Sequence, residues 1–346
     1  MAVFCREEIV EILVTGASGF IGQHLVRALV AQGHQVRALV RTLSARTDLN
    51  GAPPFIGDLT NAASLRQAVR GVDLIYHLAV IRDRWGLPYG DYYDVNVRGT
   101  RCLLNAAVAQ GARFVYCSSV GVLGYPGVLD INEDSPYRPE DGKYNYHHTK
   151  ALAEQLTLEY SRKGWLRATV VRPVITYGPG DTYGMVTKLL TLLAAGRFVS
   201  VGDGRNHVHL AYITDTVRGI ILAGESERAI GRVYNLPGVC PISMRELIAL
   251  ACAQLGRPVP RWHIPLVPAK AAARALEAVY TLQRQLGLNI LGNEPFISRD
   301  KIDTLTINRG FSGHRAEHEL GFYPIVDYAE GLALTAAWVF RPSSQP

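Results

Sequence analysis

Apolar residues along this chain fall into two alternating rhythms. Short, nearly unbroken apolar runs occur at 9–14, 35–40, 54–56, 74–78, 113–117 and 168–172, and each reads as a buried strand. Between them apolar positions return every three or four residues, as at Ile21, Leu25 and Leu29, which predicts amphipathic helices. Gly33-His34 ends the first helix, a short helix passes through Leu65 and Val69, and longer ones cover about 92–110 and 146–162. Alternation of this kind requires right-handed crossovers, so the predicted fold is α/β, a doubly wound parallel sheet with helices on both faces.

Beyond Pro173 the rhythm breaks. Gly and Pro cluster at Tyr177-Gly178-Pro179-Gly180, and short elements follow without regular alternation. The stretch 205–224, extended over 208–213 and helical over 216–223, is expected to rejoin the sheet. The predicted division is therefore a dinucleotide-binding domain of 1–175 plus 205–224, a smaller discontinuous substrate lobe of 176–204 plus 225–340, and a tail of 341–346.

Composition narrows the class. With 48% hydrophobic and 19% charged residues over 346 positions, the chain can bury a large core and is not disordered. The net charge of +6 comes largely from arginine, without the basic runs or basic–aromatic interleaving of nucleic-acid binders, so no nucleic-acid partner is expected. Cys5, Cys102, Cys117, Cys240 and Cys252 are odd in number and scattered, which argues against a disulfide framework or a structural zinc site. The first eleven residues carry glutamates where a signal peptide needs an apolar core, and no apolar run approaches the ~18 residues of a membrane span. A cytoplasmic location is expected.

The run Thr15-Gly16-Ala17-Ser18-Gly19-Phe20-Ile21-Gly22 lies directly between the first strand and the first helix. A helix start presents unpaired backbone N–H groups whose partial positive charge suits a pyrophosphate. Gly16 permits the tight turn, Gly19 removes a side chain from the phosphate path, and Gly22 lets helix and strand pack closely. After the second strand, Arg41 and Arg46 stand where an acidic residue would bind a ribose 2′-hydroxyl, and no acid precedes Asp48. The forked guanidinium suits a 2′-phosphate, so NADP(H) is the expected cofactor, with NAD(H) as the alternative. Asp58, after the third strand, is a candidate acceptor for the adenine amino group.

Tyr146 and Lys150 are four residues apart on one helical face. A tyrosine of pKa about 10 is a poor proton donor at neutral pH, and lowering it by about three units takes roughly 4 kcal/mol of differential stabilisation. A neighbouring ammonium supplies that in a partly dry cleft. Ser119, just beyond the fifth strand, is placed to hydrogen-bond a substrate oxygen and orient it toward Tyr146.

With these residues in order, the chain resembles the extended short-chain dehydrogenase/reductases, the NAD-dependent epimerase/dehydratase family, whose nucleotide-binding fold is of the Rossmann type. The resemblance rests on 15–22, Gly57-Asp58-Leu59, His77-Leu78-Ala79, Asn96-Val97-Arg98-Gly99-Thr100, Ser118-Ser119, Tyr146 with Lys150, and Arg172-Pro173 followed by Tyr177-Gly178-Pro179-Gly180-Asp181. It implies a catalytic Ser119-Tyr146-Lys150 set, with Tyr146 and Lys150 also at the nicotinamide end. It further implies cofactor contacts from Ser18, Phe20, Ile21, Leu59, Leu78, Ala79, Asn96, Pro173 and Val174. One departure is Val122-Leu123-Gly124, where many members read Val-Tyr-Gly. The run 202–212 and the later Asn293-Glu294-Pro295 and Leu320-Gly321-Phe322-Tyr323-Pro324 are similar to the 3β-hydroxysteroid, sterol and dihydroflavonol branch. Nucleotide-sugar enzymes typically carry an arginine near Val208.

The resulting expectation is an NADP(H)-dependent alcohol dehydrogenase or ketone reductase acting on a hydrophobic, cyclic small molecule. The alternative is a nucleotide-sugar epimerase or dehydratase with tightly bound NAD(P); a non-catalytic dinucleotide sensor is a third class. His207 with His209, and His147 with His148, have no third metal ligand nearby and read as hydrogen-bonded histidines. The segment 267–288 mixes apolar residues with Lys270, Arg274 and Arg284, and is read as packing across the substrate cleft rather than lying on a membrane. Homodimer formation is left open.

Overall fold

Successive residues in the central strands point to opposite sides, and both sides are covered. In a computed structural model, which describes residues 9–42, 49–82, 84–124, 126–138, 145–288 and 290–341, Ile12, Val14, Ala38, Tyr76 and Val171 enter one hydrophobic cluster. Their neighbours Leu13, Leu39, Ile75, Phe114 and Val170 enter the other. Cys5, Arg46, Asp48, the amino-terminal segment 1–8 and all but the first residue of the expected tail lie outside the described residues.

The first half runs β1 (Glu11–Thr15), α1 (Phe20–Ala31), β2 (Gln35–Val40), β3 (Pro54–Ile56), α2 (Ala62–Ala68) and β4 (Leu74–His77). It continues through α3 (Tyr89–Tyr92), a π-helical turn (Tyr93–Gly99), α4 (Thr100–Gln110), β5 (Arg113–Cys117), α5 (Asn145–Arg162), β6 (Ala168–Pro173) and β7 (Ile175–Tyr177). The second half has α6 (Met185–Ala194), β8 (Ser200–Val201), β9 (His207–Val208), β10 (Leu210–Tyr212), α7 (Ile213–Glu225), β11 (Val233–Leu236) and β12 (Ile242–Ser243). It ends with α8 (Met244–Gln254), β13 (His263–Ile264), α9 (Leu266–Gln285), α10 (Arg299–Thr306), α11 (His314–Leu320) and α12 (Tyr328–Val339).

Seven strands form one parallel sheet in the order β11-β6-β5-β4-β1-β2-β3. The order reverses between β1 and β4, where Thr15 pairs with His77, and the crevice for a ligand opens beyond the carboxyl ends of those two strands. The doubly wound parallel sheet is as expected.

Two details differ from the sequence expectation. The return to the sheet is made by β11, from a stretch assigned to the smaller lobe, and not by 205–224. There β9 and β10 are separated at His209 and pair with β12 and β7 in small sheets of their own, while α7 covers the main sheet through Val217, Ile220 and Ile221. Four residues following a glycine turn at Gly231 carry little periodic signal, which is why β11 reads poorly from sequence. The helix expected over 92–110 begins at Tyr89 and is interrupted by the π-helical turn.

Candidate active site

The loop between β1 and α1 is built to leave a helix start bare. Gly16 adopts φ 72°, and Gly19 N–H donates to Gly16 O at 2.9 Å to close the turn. Gly19 is the residue preceding α1, so no side chain caps the helix, and its first turn holds no acid. The N–H groups of Phe20, Ile21 and Gly22 precede the first intrahelical bond and are left for a ligand. A Cβ on Gly16 would lie 2.7 Å from Ala79 N, and one on Gly22 would lie 2.1 Å from Gly16 O. A Cβ on Gly19 would meet only Gly16 O, at 3.1 Å, so its outer side is open. Ser18 is exposed, and Phe20 and Ile21 are half-buried beside it. This cradle fits a dinucleotide pyrophosphate.

At the far end Arg41 is exposed beyond β2, close enough to Asp58 to help hold its carboxylate in the charged form. The larger effect on Asp58 is Thr60, whose hydroxyl and N–H both donate to Oδ1, at 2.6 and 2.8 Å; together they depress the carboxyl pKa. Oδ2 has no donor among the described residues. Leu59 is buried against Gly99, while Leu78 and Ala79 are half-buried next to Gly16.

Ser119 precedes a 3-10 turn (Val120–Leu123), and its Oγ accepts from Gly121 N at 3.1 Å, which leaves the hydroxyl proton available to donate. Tyr146 opens the first turn of α5, half-buried, and Lys150 follows one turn later with 2% exposure. Lys150 Nζ donates to Cys117 O at the end of β5 and lies 4.5 Å from the centre of the Tyr116 ring. Burial lowers its pKa to about 8, against the opposing pull of Cys117 and Glu154. Burial, and after it the neighbouring Tyr146, push the Tyr116 phenol well above its usual range. Pro173 and Val174, both buried, close β6 on the same rim.

Behind this rim lies a buried polar network that sequence patterns do not reveal. His77 bridges Thr15 Oγ1 at 2.7 Å and Thr100 Oγ1 at 2.9 Å, and Thr100 donates onward to Asn96 O at 2.6 Å. Burial, with Lys150 nearby, lowers the His77 pKa to about 3, so the ring is neutral. Asn96 is 1% exposed; its Oδ1 accepts from Ile81 N at 2.8 Å and its Nδ2 donates to Ile81 O and Thr149 Oγ1. Its side chain therefore shapes the backbone wall after β4 from behind. A second cluster centres on Glu154, which accepts from Ser118, Tyr137 and both the Nε and Nη2 of Arg172.

Three further histidines near this region have local partners. His209 takes Phe311 N at Nδ1 and faces Gly238 O with Nε2, and His148 bonds the Tyr89 hydroxyl. His147 is packed against Gly121, and burial followed by the charge of Arg309 brings its pKa to about 4. Arg309, 8% exposed, is thus a cation near the start of α5 that sequence reading missed. Val208 has 0% exposure, pairs with Ile242 and belongs to the core, so it presents no surface to a ligand.

Residues 12–236 match the description of the NAD dependent epimerase/dehydratase family. The chain is 33% identical over 330 residues to a 2-alkyl-3-oxoalkanoate reductase of Stenotrophomonas maltophilia, covering 93% of this chain and 97% of that one. It is 29% identical over 343 residues to a 3-beta-hydroxysteroid dehydrogenase of Mycolicibacterium neoaurum, covering 95% and 91%. Among solved structures it is similar to a double mutant of DesIV, a dTDP-glucose 4,6-dehydratase from Streptomyces venezuelae with NAD and DAU bound. That likeness has a TM-score of 0.76 and 26% identity, over 96% of this chain and 97% of the other.

Proposed function

The chain belongs to the NAD dependent epimerase/dehydratase family of oxidoreductases acting on CH–OH groups, and we propose that it is an NADP(H)-preferring dehydrogenase or ketone reductase for an apolar, cyclic substrate. The observation that carries this reading is the meeting of three groups at one strand end: Ser119 just beyond β5, and Tyr146 and Lys150 one turn apart on α5, with Lys150 Nζ anchored on Cys117 O at the end of β5. The names of the reductase and hydroxysteroid relatives support the substrate class.

When bound, the nicotinamide cofactor supplies or accepts hydride. The chain's own residues are assigned the rest. In the reducing direction the Ser119 hydroxyl donates a hydrogen bond to the substrate carbonyl oxygen, and the Tyr146 hydroxyl donates the proton to that same oxygen. Lys150, charged and anchored on Cys117 O, stabilises the phenolate left behind. Arg41 is assigned to the 2′-phosphate and Asp58 to the adenine end. A cytoplasmic setting is part of the proposal, supported by the four described cysteines, which are free thiols.

One observation favours the alternative of a nucleotide-sugar epimerase or dehydratase. Arg309 brings a buried cation close to His147, and a substrate diphosphate needs such a partner. A binding panel separates the two readings: with cofactor present, sterols and flavonoids should stabilise the protein thermally and reduce added NADP⁺, whereas UDP- and dTDP-glucose should bind weakly. Micromolar nucleotide-sugar binding with no response to any apolar alcohol or ketone would promote the alternative. In either class Tyr146→Phe should lower turnover about 10²–10⁴-fold while cofactor still binds.

A further inference from the structure

The segment expected to pack across the substrate cleft instead turns its apolar residues to solvent: α9 is amphipathic in the inverted sense. Its inner face carries Ala269, Ala273, Glu277 and Tyr280, and is anchored by ion pairs, Lys270 to Asp303 and Glu277 to Arg299. At about 100° per residue, Val267, Ala271, Ala275, Val279, Leu282 and Leu286 fall within one third of the circumference, on the opposite side. None of them is covered: Val267 is 81% exposed, Leu282 55% and Leu286 62%. No charged residue interrupts this stripe. Trp262, just before the helix, is 86% exposed, and Phe296, after it, 83%. A soluble chain rarely leaves so continuous an apolar face bare unless something docks on it.

The charges around the stripe identify the occupant. Between 257 and 292 there are five cations, Arg257, Arg261, Lys270, Arg274 and Arg284, against the single acid Glu277, which is buried and paired. Arg261 and Arg274 form no ion pair among the described residues, and Arg274 lies about 20° from the edge of the stripe, whereas Arg284 falls on the inner side. A second copy of this face would bring the same cations together and be repelled. An anionic bilayer offers phosphate and carboxylate groups to the arginines and acyl chains to the stripe, and a tryptophan at the edge suits the headgroup level. We infer that α9 and its flanks are a peripheral docking surface for an anionic phospholipid bilayer, with the helix lying in the interface. No described helix is long and apolar enough to cross a membrane, so this is attachment to one leaflet. The Arg284 guanidinium rests against Gly86, in the loop that follows β4, so a docked α9 would hold the mouth of the crevice near the lipid surface. The inference does not depend on which substrate the cleft accepts.

Sedimentation with vesicles tests it. The full chain should pellet with vesicles of phosphatidylcholine and phosphatidylglycerol, about 3:1, and much less with phosphatidylcholine alone, and raising salt to about 0.5 M should release it. Leu282→Glu and Leu286→Glu place charges on solvent-facing positions, so both should fold and melt as the unmodified protein does, yet lose about tenfold or more in vesicle partitioning. Failure of the unmodified chain to bind the anionic vesicles would overturn the inference, as would equal binding by both variants. Self-association in a centrifuge that the same substitutions abolish, without vesicle binding, would assign the face to a second copy instead.

Discussion

Lys150 sits over the ring of Tyr116, its Nζ 4.5 Å from the ring centre, with its proton given to the carbonyl next along the strand, that of Cys117. The ammonium is thus held by a π-face and one carbonyl in a site with 2% exposure, and among the described residues no carboxylate forms an ion pair with it. Such a charge is costly to the fold and useful to a phenol one turn away.

Replacing it should therefore separate stability from activity. The Lys150 pKa falls from 10.5 to about 8 on folding, so between those values the unfolded chain binds more protons and stability rises with pH. Below about pH 8 the destabilisation is fully present, at about 3 kcal/mol. Lys150→Met should cut turnover by about 10²-fold or more. Urea unfolding near neutral pH should show the variant no less stable than the parent, with a flatter pH dependence in the alkaline range. A variant both unstable and active would refute this account of the lysine.

Two glycines three residues apart should behave differently. Gly22→Ala drives a Cβ against the backbone oxygen of Gly16, at 2.1 Å, and should destabilise the fold by about 1–3 kcal/mol. Gly19→Ala meets the same oxygen at 3.1 Å and is otherwise open, so its urea midpoint should stay near the parent's. Its methyl group would intrude on a pyrophosphate, and cofactor titration should show weakening of about tenfold or more. Unchanged cofactor affinity in Gly19→Ala would remove the phosphate role assigned to this turn.

Arg41 is exposed at the end of β2 and can be changed without disturbing the core. Arg41→Asp replaces attraction with repulsion at the 2′-phosphate, so NADP(H) affinity should fall roughly ten- to hundredfold while NAD(H) affinity changes little. Titrating both cofactors against both proteins checks it. Equal affinities in the unmodified protein would withdraw the NADP(H) preference.

The sheet was legible in the sequence because parallel strands covered on both faces are apolar at nearly every position, as in 12–14 and 114–117, and glycines mark the turn into α1. The Tyr146–Lys150 pair was legible because both lie on one helix. What could not be read is what depends on tertiary neighbours: the neutral His77 between two threonines, the carboxylate of Glu154 meeting Arg172 from a strand 18 positions away, and Arg309 approaching His147 from beyond α10. Val208 shows the converse limit. Its position along the chain suggested a place on the cleft, whereas its side chain is turned wholly into the core.

The π-helical turn Tyr93–Gly99 contains more residues per turn than the helices on either side of it. That surplus is taken up within the turn itself. Deleting Val97 or Arg98 would let the segment relax into an unbroken α-helix, keeping the phase of what lies upstream but bringing Asn96 one position nearer to α4. Asn96 would then lose its place opposite Ile81 and Thr149, although its own codon was untouched. In this part of the chain the number of residues constrains the structure as much as their identity, and a single-codon deletion here would do the damage of a substitution in the wall that follows β4.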